Sequence, residues 1–468
     1  MDDHSKPTGT SVPDVGEASV PRPGSLKRVL SLSDLILYGL VILTPTAPYP
    51  VYGIVQQVSK GHAALSYLVA MVAMLFTAAS YSKMAVAYPS AGSTYTYAER
   101  TLSAPVGFLA GWAMMLDYFL IPLLSVIYSA LTAARFAPQV PYVVWAIFFT
   151  LGITMINLRG IRVTARASSV MMWIMSGCAV LFIVLAARTV VSWHGAAGLF
   201  SMGGIYRPDS FSLRPLMLGA AIATLSYIGF DAISTLAEDT IRPKRDVAVA
   251  TIVVCVLQAA ICFLTVYIAA LVWPDYSKFP ETETAILDIG RVIGGNPMVI
   301  TLTVVLLVAG LASALTGQAG ASRLLFGMAR DGVISRRIFG YLDPRFSTPT
   351  RSIWLMGAIS LVGALLVRFQ LAVELVNFGA FVGFILVNLS VIRHYFGQLR
   401  LRRGVAMLTN LIFPAIGGLV CLYIWMSLTS KAKLVGFGWL GLGLLYLFVL
   451  TRGFREPVRR LDFEGAGQ

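Results

Sequence analysis

Charged residues are scarce in this chain. Of its 468 residues only 12% are Asp, Glu, Lys or Arg, and 57% are hydrophobic, whereas a soluble domain carries about 25% charged residues. Mean hydropathy is +0.77. Apolar runs of about 20 residues recur along the chain, and each is long enough to cross a ~30 Å hydrocarbon core at ~1.5 Å per residue. This composition excludes an ordinary soluble domain and predicts a polytopic membrane protein.

The sequence also lacks the residues that most enzymatic and metal sites need. It contains four histidines and four cysteines. The histidines are scattered, and the cysteines lie in apolar stretches without the spacing of a disulfide or a metal site. There is no GxxxxGK[ST] nucleotide-binding loop and no Ser–His–acid constellation. We therefore expect no cofactor, no metal and no enzymatic activity, and any transport would draw on an ion gradient or on exchange.

Twelve apolar stretches alternate with short connections. The predicted transmembrane helices lie at about 32–57, 64–88, 103–132, 141–158, 167–188, 215–238, 247–273, 297–320, 350–368, 371–392, 405–428 and 434–451. With the N-terminus inside, 26 of the 36 Lys and Arg residues fall on the cytoplasmic side and 10 outside, which is the positive-inside bias. Membrane insertion thus explains the net charge of +14 without a nucleic-acid partner.

We expect the protein in the cytoplasmic (inner) membrane, in contact with the lipid bilayer. Both termini are expected in the cytoplasm. Residues 1–27, rich in Ser, Pro, Gly and Asp, are expected to form a disordered tail, and residues 453–468 a second cytoplasmic tail. The transmembrane domain is expected at 28–452.

Two of the predicted helices are interrupted near their middle. The first contains "LTPTAPYP" (43–50), and each of its prolines removes a helix hydrogen bond. The sixth contains "TLSYIGFDAIS" (224–234), where Gly229 and Asp231 suit a continuous lipid-facing helix poorly. Because the two helices are five spans apart, they cross in opposite directions. The pattern predicts an inverted repeat with a binding site at the two breaks; a tolerated proline kink is the alternative.

Acidic residues inside predicted spans are candidates for function. Asp231 could bind a cationic substrate or carry a proton, or it could hold the neighbouring broken backbone. Asp117, beside Tyr118, could line the same cavity or pair with a group between helices. Glu238, at the end of the sixth span, could form an inner gate, or it could cap its helix and pair with the basic residues that follow. Asp34 is expected to cap the first helix.

Six segments carry a family resemblance. They are "KGHAALSY" (60–67), "YPSAGSTYTYAER" (88–100), "GWAMMLDYFLIP" (111–122), "SYIGFDAISTLAEDT" (226–240), "ASRLLFGMARDGV" (321–333) and "NFGAFVGFILVNLSV" (377–391). From about Lys27 to Arg452 the chain resembles the amino acid–polyamine–organocation permeases, and within them the bacterial putrescine importers. The resemblance implies a LeuT-like five-plus-five inverted repeat with discontinuous helices 1 and 6. Repeat one would span about 30–190 and repeat two about 213–395, with two added helices at about 405–451.

The resemblance also implies a substrate site at the unwound segments. The implied substrate-binding residues are Thr44, Thr46, Ala47, Asp117, Tyr118, Leu225, Ser226, Tyr227, Gly229 and Asp231. Related carriers have an acid at the position of Asp231 that takes part in substrate or proton handling, and the putrescine importers also have an aspartate at the position of Asp117. Helix 1 departs from the family pattern. Pro45 and Pro48 offer no N–H to a substrate carboxylate, and Pro50 stands where the putrescine importers have an aspartate.

These features predict a secondary active transporter for amino acids or putrescine-like polyamines, importing its substrate by alternating access with a coupled proton. An amino acid exchanger or antiporter is the alternative. A membrane-embedded enzyme is disfavoured by the near absence of histidine and reactive cysteine inside the spans. The sequence leaves sodium coupling and the oligomeric state open. The mixed apolar and basic segment 322–344 is expected to form an amphipathic helix on the inner membrane surface.

Overall fold

The structure is a computed structural model, and it describes residues 30–89, 93–159, 165–330, 335–343 and 348–453. The predicted tails at 1–27 and 453–468 lie outside these residues, apart from Gly453. Within the described part nearly all regular structure is helical, and the only extended pairing there is a single bridge between Leu30 and Thr240. The predicted all-α class is confirmed.

Sixteen α-helices follow one another along the described chain. They are α1 (Leu32–Leu43), α2 (Tyr52–Val58), α3 (Ala63–Ala87), α4 (Ser93–Thr101), α5 (Ala104–Phe136), α6 (Tyr142–Leu158), α7 (Ala165–His194), α8 (Leu213–Ala223), α9 (Pro243–Val272), α10 (Ala285–Arg330), α11 (Arg336–Phe339), α12 (Thr350–Leu366), α13 (Phe369–Val391), α14 (Val405–Met407), α15 (Phe413–Met426) and α16 (Ser430–Leu450). Two 3₁₀ segments, Thr224–Tyr227 and Phe230–Asp239, continue α8. Two π-helical segments, Ile392–Gln398 and Leu408–Ile412, extend α13 and precede α15.

Nine helices in the described part of the chain are long and apolar enough to cross a membrane. Three further apolar helices are shorter: α1, α6 and α12. Together they coincide with the twelve predicted stretches, and α1 is the first half of a helix that resumes as α2. A multi-pass membrane protein is confirmed, whereas the number twelve stays a prediction because these three helices fall short of a full span.

Close helix packing depends on small residues. Gly379 of α13 lies so near α5 that a Cβ there would come within 2.4 Å of the Ala113 carbonyl oxygen. Gly443 of α16 lies against the indole of Trp112, where a Cβ would come within 2.4 Å of the Trp112 Cδ1 atom. In lipid, where apolar side chains gain nothing by leaving water, such close backbone approach supplies the packing energy. Helix α5 is therefore held between α13 and α16.

Helix α10 differs from its predicted bounds of 297–320. It begins at Ala285, bends at Gly295 (φ 62, ψ −155) just before Pro297, and runs to Arg330. Glycine tolerates this positive φ, and Pro297 has no N–H to continue the hydrogen-bond ladder. The predicted surface helix over 322–344 is wrong in its first part, because residues up to Arg330 continue α10. A short helix follows at Arg336–Phe339.

The start of α1 and the four cysteines were also subjects of prediction. Asp34 does stabilise the start of α1, but as the third helical residue: Ser31 is the N-cap, and its backbone N–H donates to Asp34 Oδ2 at 2.8 Å in a capping box. The cysteines are buried and form no disulfide, as their apolar setting predicted. They are Cys178, Cys255, Cys262 and Cys421.

Candidate functional site

The first helix is broken between Leu43 and Tyr52. Helix α1 ends at Leu43, and the φ of 51° at the next residue, Thr44, turns the chain out of the helical path. Three turns then carry the backbone to α2, because the N–H groups of Ala47, Tyr49 and Val51 donate to Thr44, Thr46 and Pro48 at 3.0, 3.0 and 3.3 Å. The prolines of this segment have no N–H to offer. The first break therefore offers few backbone donors to a ligand.

The second break lies where α8 passes into 3₁₀ geometry. Gly229 separates the two 3₁₀ segments with a φ of +127°, a value that residues other than glycine rarely adopt. A Cβ at Gly229 would lie 2.6 Å from Cγ2 of Ile42 in α1. The two breaks therefore touch, as the predicted inverted repeat requires.

Gln258 of α9 joins the two breaks. Its Nε2 donates to the carbonyl oxygens of Leu43 (3.3 Å) and Thr44 (3.0 Å) in the first break, and to that of Ser226 (3.0 Å) in the second. Carbonyl oxygens only accept, so the amide nitrogen rather than the oxygen must face them. Gln258 is fully buried. Its amide is a direct polar link between the two unwound segments, and the sequence reasoning missed it.

Asp231 sits in the first turn of the second 3₁₀ segment. Its Oδ1 accepts a hydrogen bond from the Gly229 N–H at 3.1 Å. Ser234 donates to the Asp231 carbonyl at 2.6 Å and contacts the hydroxyl of Ser93 at the start of α4 at 2.7 Å. The carboxylate thus stabilises the broken backbone, which was one of the two predicted roles. The other role, in substrate or proton handling, stays a prediction.

Asp117 lies halfway along α5 and has an unsatisfied oxygen. Its Oδ1 is buried and has no hydrogen-bond partner among the described residues. Asp117 and Asp231 are close enough to interact electrostatically. Tyr118, 43% exposed, is within electrostatic range of both acids and of Tyr38 on α1. Groups from α1, α5 and the second break therefore surround one region, and Tyr38 was not predicted as part of it.

Some of the other predicted site residues point their side chains away from the region between the breaks. The Ser226 hydroxyl meets the Tyr67 hydroxyl at 3.0 Å, and the Tyr227 hydroxyl donates to the Tyr67 carbonyl at 3.2 Å. Both side chains therefore face α3, which leaves only their backbone for a ligand. Thr46 is buried, whereas Ala47 and Leu225 are partly exposed. The side chain of Glu238, the predicted inner gate, lies outside the described part of the structure.

Comparison with known proteins places the chain in a family. The model of the amino acid permease family matches residues 51–450. The chain belongs to the amino acid permease family. As a permease it is a membrane transporter, and the prediction that it is not an enzyme is confirmed.

Relatives and solved structures support this assignment of the permease. It is 32% identical to the low-affinity putrescine importer PlaP of Escherichia coli K12, over 93% of this chain and 96% of that protein. It is 28% identical to the branched-chain amino acid permease BcaP of Bacillus subtilis, over 92% and 94%. The crystal structure of MhsT in complex with L-phenylalanine matches with a TM-score of 0.59 at 15% identity, covering 86% of this chain and 100% of that one. The last match shows the fold alone, and it confirms the predicted LeuT-like architecture.

The arrangement suits the binding of a positively charged group. The two acids Asp117 and Asp231 lie within electrostatic range of each other, and Asp117 Oδ1 has no partner among the described residues. The turns of the first break use the N–H groups of Ala47, Tyr49 and Val51. The described part of the chain contains no group of three or more His, Cys, Asp or Glu placed to hold a metal ion. The region between the breaks therefore holds one unpaired acidic oxygen, that of Asp117.

Proposed function

We propose that this permease imports cationic amines, putrescine-like diamines first among them, across the cytoplasmic membrane by alternating access. The substrate binds between the two helix breaks, at the residues that the sequence predicted, and its ammonium group donates to Asp117. A proton gradient drives uptake, with Asp231 as the coupling residue. Both termini lie in the cytoplasm.

The unsatisfied oxygen of Asp117 carries the proposal. A buried carboxylate oxygen without a partner costs more than an ordinary lost hydrogen bond, and an ammonium group is a suitable donor to it. The nearby charge of Asp231 adds to the attraction for a cation and repels an anion. Similarity to the putrescine importer PlaP over nearly the whole chain supports the same substrate class.

The first break supports an amine over a carboxylate. Its N–H groups at Ala47, Tyr49 and Val51 already donate within the break, and its three prolines have no N–H. The turns of the break therefore offer a substrate carboxylate fewer donors than a glycine-rich break would offer. Similarity to the amino acid permease BcaP makes amino acid transport the second candidate.

The test is uptake into proteoliposomes holding the full-length protein. Labelled putrescine, arginine, leucine and isoleucine are compared with and without an inward proton gradient. We expect saturable putrescine uptake that collapses when an uncoupler is added and that is not changed by replacing sodium with choline. Uptake of leucine or isoleucine without putrescine would reject the cationic substrate.

A variant at Asp231 tests the coupling separately. Asp231→Asn should retain exchange of internal for external substrate but should lose accumulation against a gradient, because the amide cannot carry the proton. Asp209→Asn, an exposed acid in the connection before α8, serves as the control and should accumulate substrate normally. Undiminished gradient-driven accumulation by Asp231→Asn would remove this residue from the coupling step while leaving the substrate proposal standing.

A further inference from the structure

A cavity of about 450 Å³ opens where the end of α5 meets α10. Its lining includes Arg135, Phe136, Asp288, Arg291, Asn296 and Ile300. Its volume falls within the ~300–1,000 Å³ range of small-molecule sites. No residue of either helix break lines it, so this cavity is distinct from the site described above.

Arg135 connects the two helices that form the cavity wall. Its guanidinium forms an ion pair with Asp288 and a second one with Glu281 at 3.4 Å, and it donates to the Thr284 hydroxyl at 2.9 Å. These bonds tie the end of α5 to the start of α10. Arg135 therefore shapes the cavity and has little capacity left to bind a ligand.

Two groups in the cavity remain available. Asp288 is 8% exposed, and its Oδ2 is buried without a hydrogen-bond partner among the described residues. Arg291 has no hydrogen bond or ion pair within the described part of the chain, although its charge acts on Asp288. The cavity thus offers one free anionic acceptor and one free cation, three residues apart on the same helix.

The balance of charge and the rim of the cavity limit the class of ligand. Arg135 and Arg291 are balanced by Asp288 and Glu281, so the local net charge is zero and a zwitterion fits better than a pure anion or cation. Phe136 is 56% exposed beside the opening. Exposed Ile300 also lines it, on the part of α10 that forms a candidate span. A ligand with apolar chains attached to a zwitterionic group would cover the exposed side chains of Phe136 and Ile300.

We propose that this cavity binds the headgroup of a zwitterionic phospholipid with a primary ammonium, such as phosphatidylethanolamine. The phosphate pairs with Arg291, and the ammonium donates to Asp288 Oδ2, which the protein leaves unsatisfied. Asn296 donates a further hydrogen bond to the phosphate. The acyl chains extend past Phe136 and Ile300 into the bilayer.

Thermal unfolding of the purified full-length protein tests this assignment. Phosphatidylethanolamine, phosphatidylcholine and phosphatidylglycerol with identical acyl chains are added in turn. We expect the first to raise Tm by several degrees more than the others, because choline has no N–H to donate and phosphatidylglycerol has no cation. Arg291→Gln should lose this advantage, and Arg291→Lys should keep most of it. Arg214→Gln, an exposed arginine of α8 outside the cavity, is the matched control and should respond as the unmodified protein does.

Three results would overturn the proposal. Equal shifts from the three lipids would show that the headgroup is not recognised. A full phosphatidylethanolamine advantage in Arg291→Gln would place the lipid elsewhere on the molecule. Protection by water-soluble phosphoethanolamine equal to that by the lipid, lost in Arg291→Gln, would assign the cavity to a soluble zwitterion instead.

Discussion

Asp117 and Asp231 differ in what already surrounds them. The Asp231 carboxylate accepts from the Gly229 N–H and lies in the first turn of a 3₁₀ segment, so part of its charge is met by the backbone. Asp117 has a buried oxygen that nothing in the described structure meets. Asp117 is therefore the better candidate for direct contact with a cationic substrate. Asp231 is the better candidate for binding and releasing the coupled proton.

Replacing Asp117 tests this difference at the residue scale. Asp117→Asn keeps the shape of the side chain but removes a charge-assisted hydrogen bond of roughly 1.5–3 kcal/mol, which corresponds to a rise in KM for putrescine of about 10- to 100-fold. The measurement is initial uptake rate against substrate concentration in proteoliposomes. Asp209→Asn should leave KM unchanged. A KM for Asp117→Asn within twofold of the unmodified protein would contradict direct contact.

At the scale of elements, the two breaks form a single unit. Prolines end α1, Gly229 lets α8 turn, and Gln258 of α9 holds the carbonyl groups of both breaks from one amide. Movement of one break relative to the other would have to break these bonds or carry α9 along. Gln258 is therefore a positioning residue: it sets the distance between the two surfaces that receive the substrate.

A leucine at position 258 separates positioning from general stability. Gln258→Leu leaves two buried carbonyl groups, those of Leu43 and Ser226, without their donor among the described residues. Each carbonyl left without a partner costs roughly 1–3 kcal/mol, so both Tm and substrate affinity should fall. Gln318→Leu is the matched control, because Gln318 is equally buried and joins α10 to Thr154 of α6 without touching either break. It should lower Tm while leaving KM unchanged. Equal KM values in the two variants would mean that Gln258 serves stability alone.

At the scale of the whole molecule, the orientation in the membrane follows from charge. Lys and Arg are concentrated on one side of the predicted topology, 26 of 36, and this asymmetry rather than the fold sets the direction of insertion. The fold itself, shared with MhsT, would be the same in either orientation. Orientation therefore needs a test of its own.

Cysteine labelling can test the orientation because the native cysteines are buried. Ser277→Cys places a thiol on the exposed connection between α9 and α10, and Ser5→Cys places one in the N-terminal tail. A membrane-impermeant maleimide added to whole cells should label the first variant, and the second only after permeabilisation. The opposite labelling pattern would show that the termini lie outside.

Much of the architecture could be predicted because its physical causes are local. The cost of a proline, a glycine or a charge in a lipid-facing helix belongs to that residue alone, so the breaks at 43–50 and 224–234 and the candidates Asp117 and Asp231 were visible in the sequence. The all-α class and the multi-pass topology follow from composition in the same way. The bend of α10 at Gly295 was missed, because the helical segment before Pro297 is too short and too polar to be recognised as part of a span.

The contacts that complete the site are not local, because they join residues far apart in the chain. Gln258 is 214 residues from Thr44 and 32 from Ser226, and an isolated glutamine in an apolar helix gives no sign of its partners. The inward directions of Ser226 and Tyr227, both towards Tyr67, depend on how α8 packs against α3. Residue types along the chain set where helices must break and which charges need a partner. Packing determined which partner each one found, because hydrogen bonds between distant segments form only when the whole bundle brings them within about 3 Å.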